Sequence, residues 1–411
     1  MNDNTIPVTV LSGYLGAGKT TVLNHLLHNQ QGMRIALIVN DMSEINVDAN
    51  LIKRNDSFSR TEEQLVEMTN GCICCTLRED LIQEVRNLAL KGRFDYILIE
   101  SSGISEPIPV AQTFTYVDEE LDINLGTFCH LDCMVTVVDA HRFWHDFSSG
   151  ESLVDRKQGI DETDAREVVD LLIDQIEFCD VLLLNKCDLV AAEDLAQLEK
   201  ILQKLQPEAQ IIRTTHGRVD ARELLNTNRF DFEKASMSAG WLRELQLAKH
   251  TPETEEYGIG SFVYRRTLPF HPERLAQWLE NWPAEIVRAK GMMWLATRND
   301  QAILFSQAGS SIQIGISGYW VASFPEEEQA AIFSEEPEWA ATLDPVWGDR
   351  INEVVFIGID MDQSTLAKTL DDCLLTPEEM ALDWASFPDP LPVVEDWDFD
   401  EDEEDEEDMA Q

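Results

Sequence analysis

The segment Gly13-Tyr14-Leu15-Gly16-Ala17-Gly18-Lys19-Thr20 has the composition and spacing of a complete phosphate-binding loop. Such a loop works only between a strand and a helix, and both signals are present: Val8-Thr9-Val10-Leu11-Ser12 reads as a buried strand, and Thr20 to His28 as the helix that the loop opens. Small residues let successive backbone N–H groups turn inward around phosphates, Lys19 reaches the β and γ oxygens, and the Thr20 hydroxyl suits Mg²⁺. Gly13, Gly16, Ala17, Gly18, Lys19, Thr20 and Thr21 are therefore the expected phosphate-binding set.

The apolar runs that follow are short and alternate with helical patterns. Ile35 to Val39, Phe94 to Ile99, Met134 to Asp139 and Val181 to Asn185 are expected as strands, with a helix over Arg78 to Leu90. Continuous apolar strands between helices predict an α/β domain with a mostly parallel sheet covered on both faces, its ligands at the carboxyl ends of the strands. Glu100, at such an end and followed by Gly103, stands where a magnesium-shell carboxylate belongs, and Gly103 lets the backbone approach a γ-phosphate. Lys19, Thr20 and Glu100 are the expected catalytic set. Asn185-Lys186-Cys187-Asp188 follows another strand. A carboxylate at Asp188 can accept two hydrogen bonds from guanine N1–H and the 2-amino group, which adenine does not present, so the expected nucleotide is GTP. Asn185 would support the loop and the Lys186 stem would lie over the base.

A second element, Gly71-Cys72-Ile73-Cys74-Cys75, packs three of the eight cysteines into four residues. Cys72, Cys74 and Cys75 cannot share one face of a regular element, which implies a loop wrapped around something. Thiolates in that number suit Zn²⁺ or Cu(I), and Co²⁺ is not excluded. Structural zinc sites take four ligands, usually from paired knuckles; with no second Cys-x-x-Cys, an exchangeable fourth position is expected. Buried or redox-active thiols on a regulatory GTP switch are the competing reading. Cys129, His130, Cys133, His141 and His145 form a looser group, expected mainly as core, from which one residue could complete a metal shell.

With 31 Lys plus Arg against 77 Asp plus Glu the net charge is −46, which opposes nucleic acid as a partner. Between Glu395 and Asp408 every residue except Trp397 and Phe399 is acidic; removing these 12 carboxylates from −46 still leaves −34. The end is expected as a solvated tail. No apolar run reaches the roughly 18 residues of a membrane span, the first residues lack a targeting pattern, and the clustered cysteines fit a reducing, cytoplasmic compartment. The expected organisation is a phosphate-loop domain over 1–235, a polar linker over 236–257, a smaller α+β domain over 258–390 and an acidic tail over 391–411. In the smaller domain, Ile259 to Tyr264, Gly291 to Ala296, Ala302 to Ser306, Ile312 to Ile316 and Asn352 to Ile359 read as strands, and Pro272 to Trp282 and Ser364 to Leu374 as helices.

The run Gly71-Cys72-Ile73-Cys74-Cys75-Thr76-Leu77-Arg78, between the phosphate loop and Glu100-Ser101-Ser102-Gly103, resembles the CobW-type family of metallochaperone GTPases. Arg288-Ala289-Lys290-Gly291, Trp294-Leu295-Ala296 and Phe356-Ile357-Gly358 are similar to that family's second domain, so the likeness spans the chain up to the tail. Asn40-Asp41-Met42-Ser43-Glu44-Ile45-Asn46 and Asp174-Gln175-Ile176-Glu177-Phe178-Cys179-Asp180 are similar to its YciC (ZagA) zinc-chaperone branch. The resemblance implies slow, metal- or partner-stimulated GTP hydrolysis and delivery of Zn²⁺ to a client zinc metalloprotein under zinc limitation, a zinc-dependent GTP cyclohydrolase being one client type. It implies zinc on Cys72, Cys74 and Cys75, Mg²⁺ on Thr20 and Glu100, and guanine on Asn185, Lys186 and Asp188. Many relatives have Asn-Glu-Phe-Gly-Glu where this chain has Asn40 to Glu44, which leaves Glu44 rather than Asp41 as the metal or switch candidate; the histidine-rich stretch of many relatives is missing. The family name keeps cobalt or cobalamin assembly as an alternative. Self-association dependent on metal or nucleotide stays open, and no water-orienting residue stands out.

Overall fold

The computed structural model describes residues 5–28, 32–40, 64–68, 78–114, 117–118, 123–159, 164, 166–246 and 256–392. The chain divides into two compact units, Met1–Gln246 with Ala308–Ser311, and Leu247–Gln307 with Ile312–Gln411.

In the first unit the strands are β1 (Ile6–Ser12), β2 (Ile35–Asn40), β3 (Gln64–Met68), β4 (Tyr96–Glu100), the short pair β5 (Val117–Asp118) and β6 (Ile123–Asn124), then β7 (Cys129–Asp139), β8 (Val181–Asn185) and β9 (Gln210–Arg213). Seven of them form one sheet in the order β3-β2-β4-β1-β7-β8-β9, and every pairing in it is parallel. The apolar runs of the inner strands β1, β2, β4, β7 and β8 are continuous because these strands bury both faces. Alternate residues divide between two cores: Val8, Val10, Ala36, Ile38, Ile97 and Ile99 pack with Leu81, Val85 and Leu88 of the helix Arg78–Leu90, whereas Leu11, Leu37, Val39 and Leu98 pack with Val22, Leu23, Leu26 and Leu27 of the helix Lys19–His28. The helix Ala192–Leu205 buries Leu195, Leu198, Ile201, Leu202 and Leu205, one face at helical spacing, with Glu193 and Asp194 in its first turn and Lys204 in its last, charges matched to the helix dipole.

Several boundaries differ from expectation for physical reasons. β3 and β9 are the two sheet edges, and their mixed or short sequences, Gln64-Leu65-Val66-Glu67-Met68 and Gln210-Ile211-Ile212-Arg213, lack a buried strand's apolar run. The stretch 236–257, expected as a polar linker, contains the helix Gly240–Gln246.

The second unit holds β10 (Ile259–Arg266), β11 (Ile286–Met293), β12 (Gln301–Ala308), β13 (Ser311–Tyr319) and β14 (Asn352–Ile359), ordered β10-β14-β11-β12-β13, with β14 antiparallel to both its neighbours. β11 starts five residues before the expected Gly291 because it includes Arg288 and Lys290; Arg288 is nonetheless buried, its Nη1 donating to Ser306 Oγ at 2.9 Å and to the Gln307 carbonyl at 3.1 Å. The helices Pro272–Leu279 and Gln363–Asp371 cover this sheet's core of Phe262, Phe305, Val354 and Phe356.

Candidate functional site

The loop after β1 is shaped by its glycines. Gly13, Gly16 and Gly18 have φ of 137°, 80° and 109°, a region that side chains rarely adopt. Space adds a second constraint at two of them: a Cβ at Gly13 would lie 2.3 Å from the Val137 carbonyl oxygen, and one at Gly18 would lie 2.4 Å from Asn185 Nδ2. Lys19 is buried at the start of its helix, and its Nζ donates to the Gly13 carbonyl at 2.7 Å, which keeps the ammonium inside the loop. Thr21, two residues further on, is exposed.

Neighbouring strand ends complete the arrangement. β4 pairs with β1 and ends in Glu100, which is 1% exposed; Thr20 Oγ1 donates to its Oε1 at 3.1 Å. This pair offers only oxygens, a hydroxyl and a carboxylate, the donor chemistry that a hard cation such as Mg²⁺ takes, so the residues present fit the ion. Just past Glu100, Gly103 presses on the phosphate loop: a Cβ there would meet Leu15 Cγ at 2.6 Å and Leu15 N at 2.8 Å.

β8 delivers Asn185, Lys186 and, on a single 3-10 turn, Asp188. The buried Asn185 amide joins three segments. Its Nδ2 donates to the Ala17 carbonyl at 2.9 Å, and its Oδ1 accepts from Thr214 Oγ1 at 2.9 Å and from the Gly217 N–H at 3.1 Å. Lys186 takes a left-handed conformation, φ 60°, and its Nζ bridges the Gly16 carbonyl at 2.8 Å and Asp139 Oδ2 at 2.5 Å. The Asp188 carboxylate is exposed at the mouth of this turn. Lys19, Thr20, Glu100, Gly103, Asn185 and Lys186 thus converge on one end of the parallel sheet.

Three participants have no motif of their own. Asp139 closes β7, accepts at Oδ1 from the His141 and Arg142 N–H groups at 3.0 and 3.2 Å, and anchors Lys186. Thr214 follows β9 and holds Asn185. Gly217, φ 65°, brings that loop against the helix Lys19–His28, where a Cβ would lie 2.8 Å from Val22 N. The only forward signal was the acid ending the apolar run Met134 to Asp139.

Cys72, Cys74, Cys75, Asp41 and Glu44 lie outside the described residues; among the described residues no group of three or more His, Cys, Asp or Glu side chains is placed to hold a metal. Of the looser cysteine and histidine group, Cys129 and Cys133 are core, whereas His141 and His145 are exposed. Cys129 and Cys133 are fully buried, and burial raises the Cys129 thiol to about 12 and the Cys133 thiol well above its usual range, so both stay protonated. His130 Nδ1 meets Thr5 Oγ1 at 2.8 Å. No helix among the described residues is long and apolar enough to cross a membrane.

The signature of the CobW/HypB/UreG nucleotide-binding domain matches residues 7–213, and that of the cobalamin synthesis protein CobW C-terminal domain matches residues 259–374. The zinc-regulated GTPase metalloprotein activator 1 of Dictyostelium discoideum is 45% identical over 406 residues, covering 95% of this chain and 85% of its own. The zinc chaperone YjiA of Escherichia coli is 30% identical over 302 residues, 71% of this chain and 83% of its own. The solved structure of Zn(II)-bound YjiA GTPase from E. coli covers 90% of this chain and 100% of its own at 20% identity, with a TM-score of 0.38, too low for the likeness to carry weight. With both domain signatures in order along one chain, and a relative similar over nearly all of it, this protein belongs to the CobW/HypB/UreG family.

Proposed function

We infer that this protein is a GTP-hydrolysing zinc metallochaperone, which binds Zn²⁺ through Cys72, Cys74 and Cys75 and passes it to a client metalloprotein. The observation that carries the nucleotide half is the Thr20–Glu100 hydrogen bond beside a phosphate loop locked by Asn185. The metal half is supported by the three-thiol segment and by relatives named as a zinc-regulated metalloprotein activator and a zinc chaperone.

Phosphoryl transfer to water asks a protein mainly for positioning and charge neutralisation. Lys19 supplies a cation within the loop, and the backbone N–H groups from Gly16 to Thr20 form the phosphate cradle. Thr20 and Glu100 would hold Mg²⁺, which supplies neutralisation of charge on the β and γ oxygens. Asn185 keeps the base-reading turn and the phosphate loop in one register, Lys186 covers the base, and Asp188 accepts from the guanine edge. The Cys72 to Cys75 segment lies in sequence between β3 and Glu100, and in this reading its metal binding is coupled to the segment beside the γ-phosphate. Reciprocity then requires zinc to change nucleotide affinity as nucleotide changes zinc affinity.

Anaerobic Zn²⁺ titration of the full chain and of a Cys72→Ser/Cys74→Ser/Cys75→Ser variant, each with GDP and with a nonhydrolysable GTP analogue, tests this reading. We expect tight zinc binding by the parent only, with at least about a fivefold difference between nucleotide states, the lower end of usual coupling energies. Equal zinc affinity in both nucleotide states refutes the coupling; unchanged zinc binding in the triple variant refutes the ligands.

A further inference from the structure

We propose that Gln175, fully buried on the helix Val168–Glu177, is the positioning residue for the loop that distinguishes GTP from GDP. Its Nε2 donates to the Gly103 carbonyl at 3.3 Å and to the Ser105 carbonyl at 3.1 Å, gripping both ends of the turn that follows Glu100. Two carbonyl acceptors on one side fix which way the amide faces, since the reverse orientation would bring oxygen against oxygen. The turn is closed internally by the Ser105 N–H, which donates to the Ser102 carbonyl at 3.1 Å.

This turn is wedged between two rigid bodies. On one side Gly103 is so close to the phosphate loop that no side chain fits before Leu15. On the other side the helix is tied to the central sheet, because Thr136 Oγ1 of β7 donates to the Gln175 carbonyl at 2.6 Å. Arg166 adds a second grip, its Nη1 donating to Glu106 Oε1 at 2.8 Å and to the Ile104 carbonyl at 3.4 Å. Gln175 is thus the side chain that transmits the position of β7 to the backbone beside Leu15.

Its Oε1 is buried without a hydrogen-bond partner among the described residues. A buried amide with one half unsatisfied is a costly way to fill core space, and an apolar side chain of the same volume would avoid the cost. Retention of the amide at this point is explained by the two bonds its nitrogen makes to the turn. GDP has no γ-phosphate for that turn to meet, so loss of the grip falls on the triphosphate state.

The inference rests on the GTP reading, and the test separates the two. Full-length protein, Gln175→Leu and Gln175→Glu are compared for affinity to GDP, affinity to a nonhydrolysable GTP analogue, and GTP turnover. In Gln175→Leu we expect analogue affinity and kcat each to fall about tenfold, the equivalent of one lost hydrogen bond, with GDP affinity within about twofold of the parent. Gln175→Glu can donate only when protonated, so its turnover should recover towards low pH along a limb that the parent lacks. A Gln175→Leu protein that matches the parent, or loses GDP and analogue affinity in parallel, overturns the proposal. Should Gln175→Leu not fold, a Gln175→Glu profile superimposable on the parent's overturns it. A parent protein that neither binds nor hydrolyses GTP refutes the GTP reading itself and takes this inference with it.

Discussion

Asn185 and Asp188 are separated by two residues yet have opposite physical situations. Asn185 is buried and uses both ends of its amide on protein partners, so its replacement would loosen three segments together. Asp188 is exposed, and the role proposed for it rests on what its carboxylate can accept from a base. Changing Asp188 to Asn exchanges one acceptor oxygen for a donor while leaving shape intact. The expected outcome is a loss of GTP affinity of about 10- to 100-fold, the value of one or two hydrogen bonds to a charged group. Xanthosine triphosphate, which presents a carbonyl where guanine has its amino group, should gain affinity in the same variant. Competition binding with both nucleotides checks this, and unchanged GTP preference would remove Asp188 from the base site.

At the level of elements, the strands of the parallel sheet differ in how they announce themselves. β1, β2, β4 and β8 are legible because burial on both faces demands unbroken apolar runs, and the same runs point to Glu100 and Asn185 at their ends. β3 and β9 are illegible by the same logic, being edge strands with mixed or short sequences. Thr214, Gly217 and Gln175 were not readable either, since each acts through a contact made far along the chain. The join between the helix Val168–Glu177 and β8 contains a further hidden group, Asp180. Burial lifts its carboxyl to about 6, although the Met134 N–H donates to Oδ2 at 2.7 Å and opposes the shift. A folded pKa above the unfolded value of 3.8 means that the folded state holds the proton more tightly. Its contribution is therefore fully present below about pH 4 and is lost as the pH rises towards 6. Asp180→Asn keeps an acceptor for Met134 and removes the ionisation. The variant should exceed the parent in stability by roughly 2 kcal/mol at pH 7 and converge with it near pH 4. Urea midpoints across that range measure the difference, and parallel curves would show that Asp180 ionises without penalty.

For the molecule as a whole, the two ends of the parallel sheet are built from different chemistry. The carboxyl ends gather the residues proposed for the nucleotide. At the opposite end Asp132 is buried, accepting from Tyr96 Oη at 2.5 Å, from the Thr227 N–H at 3.0 Å and from the Asn228 N–H at 2.5 Å, while Thr9 Oγ1 meets Tyr96 Oη at 2.8 Å. Tyr96→Phe deletes one donor from that carboxylate and should cost about 1–3 kcal/mol. The same change should leave GDP affinity within about twofold, because separated sites contribute independently. A melting curve paired with a nucleotide titration reads both, and a joint fall would mean the strands relay strain lengthwise. If they do not, this polar knot gives the protein a means of adjusting its lifetime in the cell that leaves its catalytic cycle alone. Drift at Tyr96, Asp132 and Thr227 among relatives would then follow the temperature at which each organism lives.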